Sequence, residues 1–132
     1  ISSNFERLLF DLHGRDGAVI AEKMGKIRSE KKLVLSADAY AQFKNEFAAG
    51  SADDDETLAT IKAVHAKTGE LLDPHTAVGY AVATKQRTGT PMVVLATAHP
   101  AKFPDAVKKA TGLHPQLPAY LADLFSLAER VN

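Results

Sequence analysis

Thr97-Ala98-His99-Pro100-Ala101-Lys102-Phe103 places a hydroxyl, an imidazole and an ammonium within six consecutive positions. A hydroxyl both donates and accepts a hydrogen bond, an imidazole exchanges a proton near neutral pH, and an ammonium neutralises an anion. Pro100 and Pro104 restrict the backbone here and favour a preset path. The segment leaves the carboxyl end of a continuous apolar run, Met92 to Thr97. In open α/β sheets, ligands bind just outside the carboxyl ends of the strands. The same residues also suit an ordinary strand-to-helix connection with Thr97 as a cap.

A second stretch is Asp73-Pro74-His75-Thr76-Ala77-Val78-Gly79. Asp followed by Pro is a helix start: Asp caps the free N–H groups, and Pro has none to leave unpaired. His75 and Gly79 lie four apart and share a helix face. Glycine inside a helix costs about 1 kcal/mol relative to alanine. A close approach by a backbone or a ligand would offset it, and so would tight packing of helix on sheet. The free N–H groups of the helix start also suit an anion.

Other candidates are weaker. Asp53-Asp54-Asp55 reads as helix capping, because a calcium loop needs alternating ligands, a glycine and a distant glutamate. His13 falls at a helix C-terminus, His65 on an apolar helix face, and His114 before a proline in a linker. No histidine pair has zinc spacing, and there is no GxGxxG, glycine-rich phosphate loop or G-x-S-x-G, so no metal ligand set is assigned.

The elements that must position these residues are mostly helical. Phe5, Leu8, Leu9 and Leu12 mark one helix face, with Ser2 or Ser3 as cap and Gly14 as stop. Ile20, Met24 and Ile27 mark a second helix. Leu33-Val34-Leu35 is a short extended piece. Ser36 caps a third helix with an apolar side of Tyr40, Phe43 and Phe47. A fourth uses Leu58, Ile61 and His65 and stops at Gly69; a fifth runs from Asp73-Pro74 to about Thr88. Pro104-Asp105 opens a sixth, closed by Gly112, and the last uses Leu121, Leu124, Phe125, Ala128 and Val131. Met92 to Thr97 has the pattern of a strand buried on both faces. The expected class is α/β: a mostly helical piece whose few strands belong to a parallel sheet largely supplied by other sequence.

Composition bounds the remaining options. The 132 residues fit one ordinary domain. The absence of cysteine rules out disulfides and thiolate zinc sites and fits a reducing compartment such as the cytoplasm. With 16 basic and 16 acidic residues, the chain shows no excess for nucleic acid. No apolar run approaches the roughly 18 residues that span a bilayer. The chain starts at Ile1 and opens directly on a helical pattern, which reads as a piece of something longer.

Three stretches in order carry a family resemblance: Ser2-Ser3-Asn4-Phe5-Glu6-Arg7-Leu8, Leu72-Asp73-Pro74-His75-Thr76-Ala77-Val78-Gly79, and Ala96-Thr97-Ala98-His99-Pro100-Ala101-Lys102-Phe103. They resemble the S-N-F-E-R, D-P-H-T-A-V-G and T-A-H-P-A-K-F motifs of threonine synthases of the bacterial and fungal type. The resemblance implies the type II fold of pyridoxal 5'-phosphate (PLP) enzymes, with two main α/β domains and the cofactor between them. Residues 1–132 would be its C-terminal segment, part of the large PLP-binding domain plus a helical C-terminus. It implies a carbon–oxygen lyase that converts O-phospho-L-homoserine and water into L-threonine and phosphate. A lysine of the N-terminal part forms the Schiff base, and the cofactor serves as electron sink.

Carried over residue by residue, the resemblance puts Thr97 opposite the pyridine nitrogen. Ser3 and Asn4 fall at the interdomain cleft and are assigned to the cofactor. His99, Lys102 and His75 are assigned to the substrate, with Lys102 a compact charge for its phosphate. Asp73 and Gly79 are structural, and Asp73 and His75 also suit orienting the loop at Thr97. None of the lysines here sits in the family's Schiff-base motif, and the glycine-rich binder of cofactor phosphate is absent, so the segment alone is expected to be inactive. The expected partners are the substrate and the missing N-terminal part. Exposed sheet edges and apolar surface make self-association a hazard. Two rival readings are a non-catalytic helical interaction domain and another type II enzyme such as a threonine dehydratase.

Overall fold

Backbone caps account for most helix boundaries in the computed structural model, which describes residues 3–130. Ile1, Ser2, Val131 and Asn132 lie outside these, as does the side chain of Ser3. The chain forms two compact units, Ile1–Ala48 and Ala49–Asn132, where composition alone suits one domain.

In the first unit, α1 (Ser3–Leu12), α2 (Gly17–Glu30) and α3 (Ala37–Glu46) follow one another. Leu9, Ile20 and Met24 form the buried centre, with Phe5, Phe10, Ile27, Leu33 and Leu35 packed against it. Leu33 and Leu35 turn inward while Val34 between them is exposed, the alternation of extended chain. The Val34 carbonyl accepts from Lys23 Nζ at 3.2 Å. Ser36 caps α3 as expected, its hydroxyl accepting from the Ala39 N–H at 3.2 Å. The expected apolar side of α3 is not its buried side: Ala39 is buried, and Tyr40 and Phe47 stay exposed.

The second unit centres on α4 (Asp54–Thr68), which packs against α5 (Pro74–Lys85) and α6 (Pro104–Thr111). Asp53 caps α4 by accepting from the Glu56 N–H at 2.8 Å, as the acidic run suggests. Gly69 and Gly112 end α4 and α6 at φ 79° and 78°, a left-handed turn that glycine makes without a Cβ penalty. Ile61, Val64, Ala77, Ala81 and Val107 are buried. Ile61→Ala is expected to cost about 3 kcal/mol, since Ile61 is fully enclosed. Urea unfolding of the protein carrying the substitution measures it; a loss under about 1 kcal/mol would mean a site that collapses freely.

Two expectations need correction. Met92 to Thr97 is not a strand, and no strand occurs among the described residues, so the parallel sheet of the expected α/β class is not found there. A strand exists only where a neighbour supplies the other half of each ladder bond. Val93 and Leu95, 82% and 75% exposed, face outward instead of being covered on both sides. The last helix is also replaced, by two 3₁₀ turns, Ala119–Leu121 and Leu124–Ser126. A short amphipathic helix draws its stability from burying its stripe, and Tyr120 and Phe125 are 83% and 82% exposed.

Candidate functional site

Asp73 is the deepest polar residue of the second unit, with 1% of its surface exposed. A buried carboxylate is costly unless its oxygens are hydrogen-bonded. Oδ1 caps α5, accepting from the His75 N–H at 2.9 Å and the Thr76 N–H at 3.3 Å. Oδ2 accepts a hydrogen bond from the Thr76 hydroxyl. The Thr76 oxygen in turn accepts from the Thr97 backbone N–H at 3.2 Å. Asp73, Thr76 and Thr97 therefore form one chain of hydrogen bonds running from a helix start to the end of the apolar run Met92 to Thr97.

Thr97 itself is exposed, and among the described residues its hydrogen bond is made by the backbone, not by the hydroxyl. Next to it, Asp73, Thr76, Ala96, Ala98, His99 and Gln116 line a cleft of about 420 Å³. His99 caps the 3₁₀ turn Pro100–Lys102, its Nδ1 accepting from the Ala101 N–H at 3.2 Å. That bond leaves the neutral ring's proton on Nε2. Lys102 closes the turn and is exposed. His75 is exposed and sets its ring edge-on to Phe103, with centroids 5.0 Å apart. The structure thus brings Asp73 and His99 to one cleft with Thr97 at its margin. His75 and Lys102 flank the same segment without lining the cleft among the described residues.

Gly79 faces Val94. A Cβ there would meet Val94 Cγ1 at 3.9 Å, ordinary contact, so the described residues do not themselves require glycine. In the first unit, Asn4 is exposed and accepts from an Arg7 guanidinium N–H at 2.8 Å; the side chain of Ser3 is outside the described residues. His65 is partly exposed and pairs through Nδ1 with the Gly69 carbonyl at 3.1 Å, a helix-end role and not a core one. No group of three or more metal-ligating side chains occurs among the described residues.

Thr76 is the residue that inspection of the sequence passes over. The usable signal is its spacing: it stands three after the capping Asp73, where side chains reach back towards the cap.

The family described as threonine synthase, C-terminal, matches residues 76–132. The chain is 48% identical to the threonine synthase of Pseudomonas aeruginosa over 98% of its own length and 28% of that protein. It is 43% identical to that of Methylobacillus glycogenes, with the same coverage. Among solved structures, the PLP-bound threonine synthase of Brucella melitensis matches with a TM-score of 0.80 and 53% identity, over 98% of this chain and 28% of that one. The yeast threonine synthase matches with a TM-score of 0.73 and 28% identity, over 98% and 30%. The chain spans less than a third of the length of these relatives.

Proposed function

We propose that this chain, which is similar to the C-terminal parts of threonine synthases in both sequence and fold, is a segment of such an enzyme, acting with pyridoxal 5'-phosphate to convert O-phospho-L-homoserine and water into L-threonine and phosphate. The observation that carries the reading is the placement of Thr97. Its backbone is tied down through Thr76 to a buried carboxylate, and the residue is exposed at the margin of a cleft.

That donor set fits the cofactor. A pyridine nitrogen needs a partner that can donate or accept, and a threonine hydroxyl does both. The Asp73 carboxylate, which would favour a protonated ring, is buried and has both oxygens engaged. When bound, the cofactor supplies the electron sink. Thr97 would hold the ring nitrogen without forcing it to stay protonated. Ser3 and Asn4 are assigned to the cofactor on the motif they occupy. Lys102 presents an exposed ammonium and His99 an Nε2–H, both suited to the substrate's phosphate. His75, whose ring meets Phe103 edge-on, is assigned to the substrate on the motif it occupies.

This segment contributes part of a site and is inactive alone; a cytoplasmic setting belongs to the same reading. In isolation it self-associates through surfaces such as Val93, Leu95 and Phe125. Neither rival, an interaction domain or a threonine dehydratase, is favoured by relatives that are themselves threonine synthases. The decisive assay is phosphate release from phosphohomoserine by the full-length protein with PLP. Release by the full-length protein and none by residues 1–132 is expected. No release from the full-length protein would remove the named reaction, and turnover by the segment alone would remove its incompleteness.

A further inference from the structure

The second oxygen of Asp73 has no part in capping α5. Oδ1 alone takes the two N–H groups of the helix start. Oδ2 is spent on the Thr76 hydroxyl, which is itself buried with 4% exposed. A carboxylate only accepts and a backbone N–H only donates, so the direction of the chain is fixed. Thr97 N–H donates to Thr76, and Thr76 O–H donates to Asp73.

Thr76 also behaves unlike four other helical threonines of this chain. Thr57, Thr68, Thr84 and Thr111 each return their hydroxyl to the carbonyl four residues back, at 2.7–2.8 Å. That is the ordinary local bond of a helical threonine. Thr76 instead bridges to a segment 21 residues away. Among the described residues, the bond from Thr97 is the one hydrogen bond that residues 91–97 make to the rest of the chain.

We propose that Thr76 is a positioning residue: its hydroxyl, oriented by buried Asp73, holds the Thr97 amide and thereby fixes where the Thr97 side chain points. The proposal rests on the reading of Thr97 as a cofactor contact. Thr76 touches neither cofactor nor substrate in it; it acts through Thr97. Valine at 76 keeps the shape and removes the acceptor, whereas serine keeps the hydroxyl.

The test uses the full-length enzyme with PLP and compares Thr76→Val with Thr76→Ser. Hydrogen exchange at the residue-97 amide is read first, without turnover. Thr76→Val is expected to speed it about tenfold, and Thr76→Ser to hold it within about twofold. The kcat for phosphate release should fall about tenfold in Thr76→Val with KM nearly unchanged, and serine should restore it. Unchanged exchange in Thr76→Val overturns the proposal, as does serine no better than valine. Faster exchange with undiminished kcat overturns the positioning role. If Thr76→Val does not fold, Asp73→Asn carries the same test. It keeps an oxygen for the cap but turns an N–H₂ towards Thr76, so the hydroxyl loses its acceptor and its hold on the amide weakens. Thr97→Val keeps the residue-97 amide. Full turnover in that variant removes the cofactor reading, while the exchange comparison still decides the hydrogen-bond chain.

Discussion

Asp73→Ala is expected to destabilise the protein by about 3 kcal/mol, read as the shift in its urea unfolding free energy. Loss of a helix cap costs about 1 kcal/mol. The larger part comes from burial. The His75 and Thr76 N–H groups and the Thr76 hydroxyl all lose their acceptor, and Thr76 is buried. An unsatisfied buried donor costs about 1–3 kcal/mol. Asp53→Ala is the control. Asp53 plays the same capping role for α4 but is exposed, so its loss should stop near the cost of the cap, about 1 kcal/mol. Equal losses at 53 and 73 would show that the buried hydroxyl bond adds nothing.

If Thr97 contacts the cofactor as proposed, Thr97→Val is expected to lower kcat by up to about tenfold in the full-length protein, with little change in KM or in the thermal midpoint. Valine matches threonine in shape, and an exposed position tolerates it within about 0.5 kcal/mol. What disappears on that reading is the proposed hydrogen bond to the cofactor, which nets roughly 0.5–1.5 kcal/mol in general, with the upper part of that range equal to a tenfold rate change. Thr97→Ser keeps the hydroxyl and should keep most of the rate. A valine variant with the parent's kcat would mean that the hydroxyl takes no part, and a fall in stability equal to the fall in rate would mean a structural role only.

The legible parts of this protein are those whose bonds close within a few residues. Asp53, Ser36 and the Asp73-Pro74 pair mark helix starts because each acceptor meets an N–H two or three positions on. Gly69 and Gly112 mark ends because the required left-handed φ belongs to one residue. The three motifs also point to threonine synthases, the proteins that the chain is similar to. Here the chemistry is local, and residue order is enough to read it.

The remainder depends on contacts between distant residues. Met92 to Thr97 has the composition of a buried strand, yet strand pairing belongs to two segments, and among the described residues the second is missing. Leu121, Leu124 and Phe125 repeat with a helical period, but without a surface to cover them the chain settles into 3₁₀ turns. Thr76 shows the same limit from the other side. Its spacing from Asp73 points back to the cap, but only folding brings the Thr97 amide to its oxygen across 21 residues. Capping energy is set by neighbours along the chain, whereas ladders, burial and this hydrogen-bond chain are set by neighbours in space.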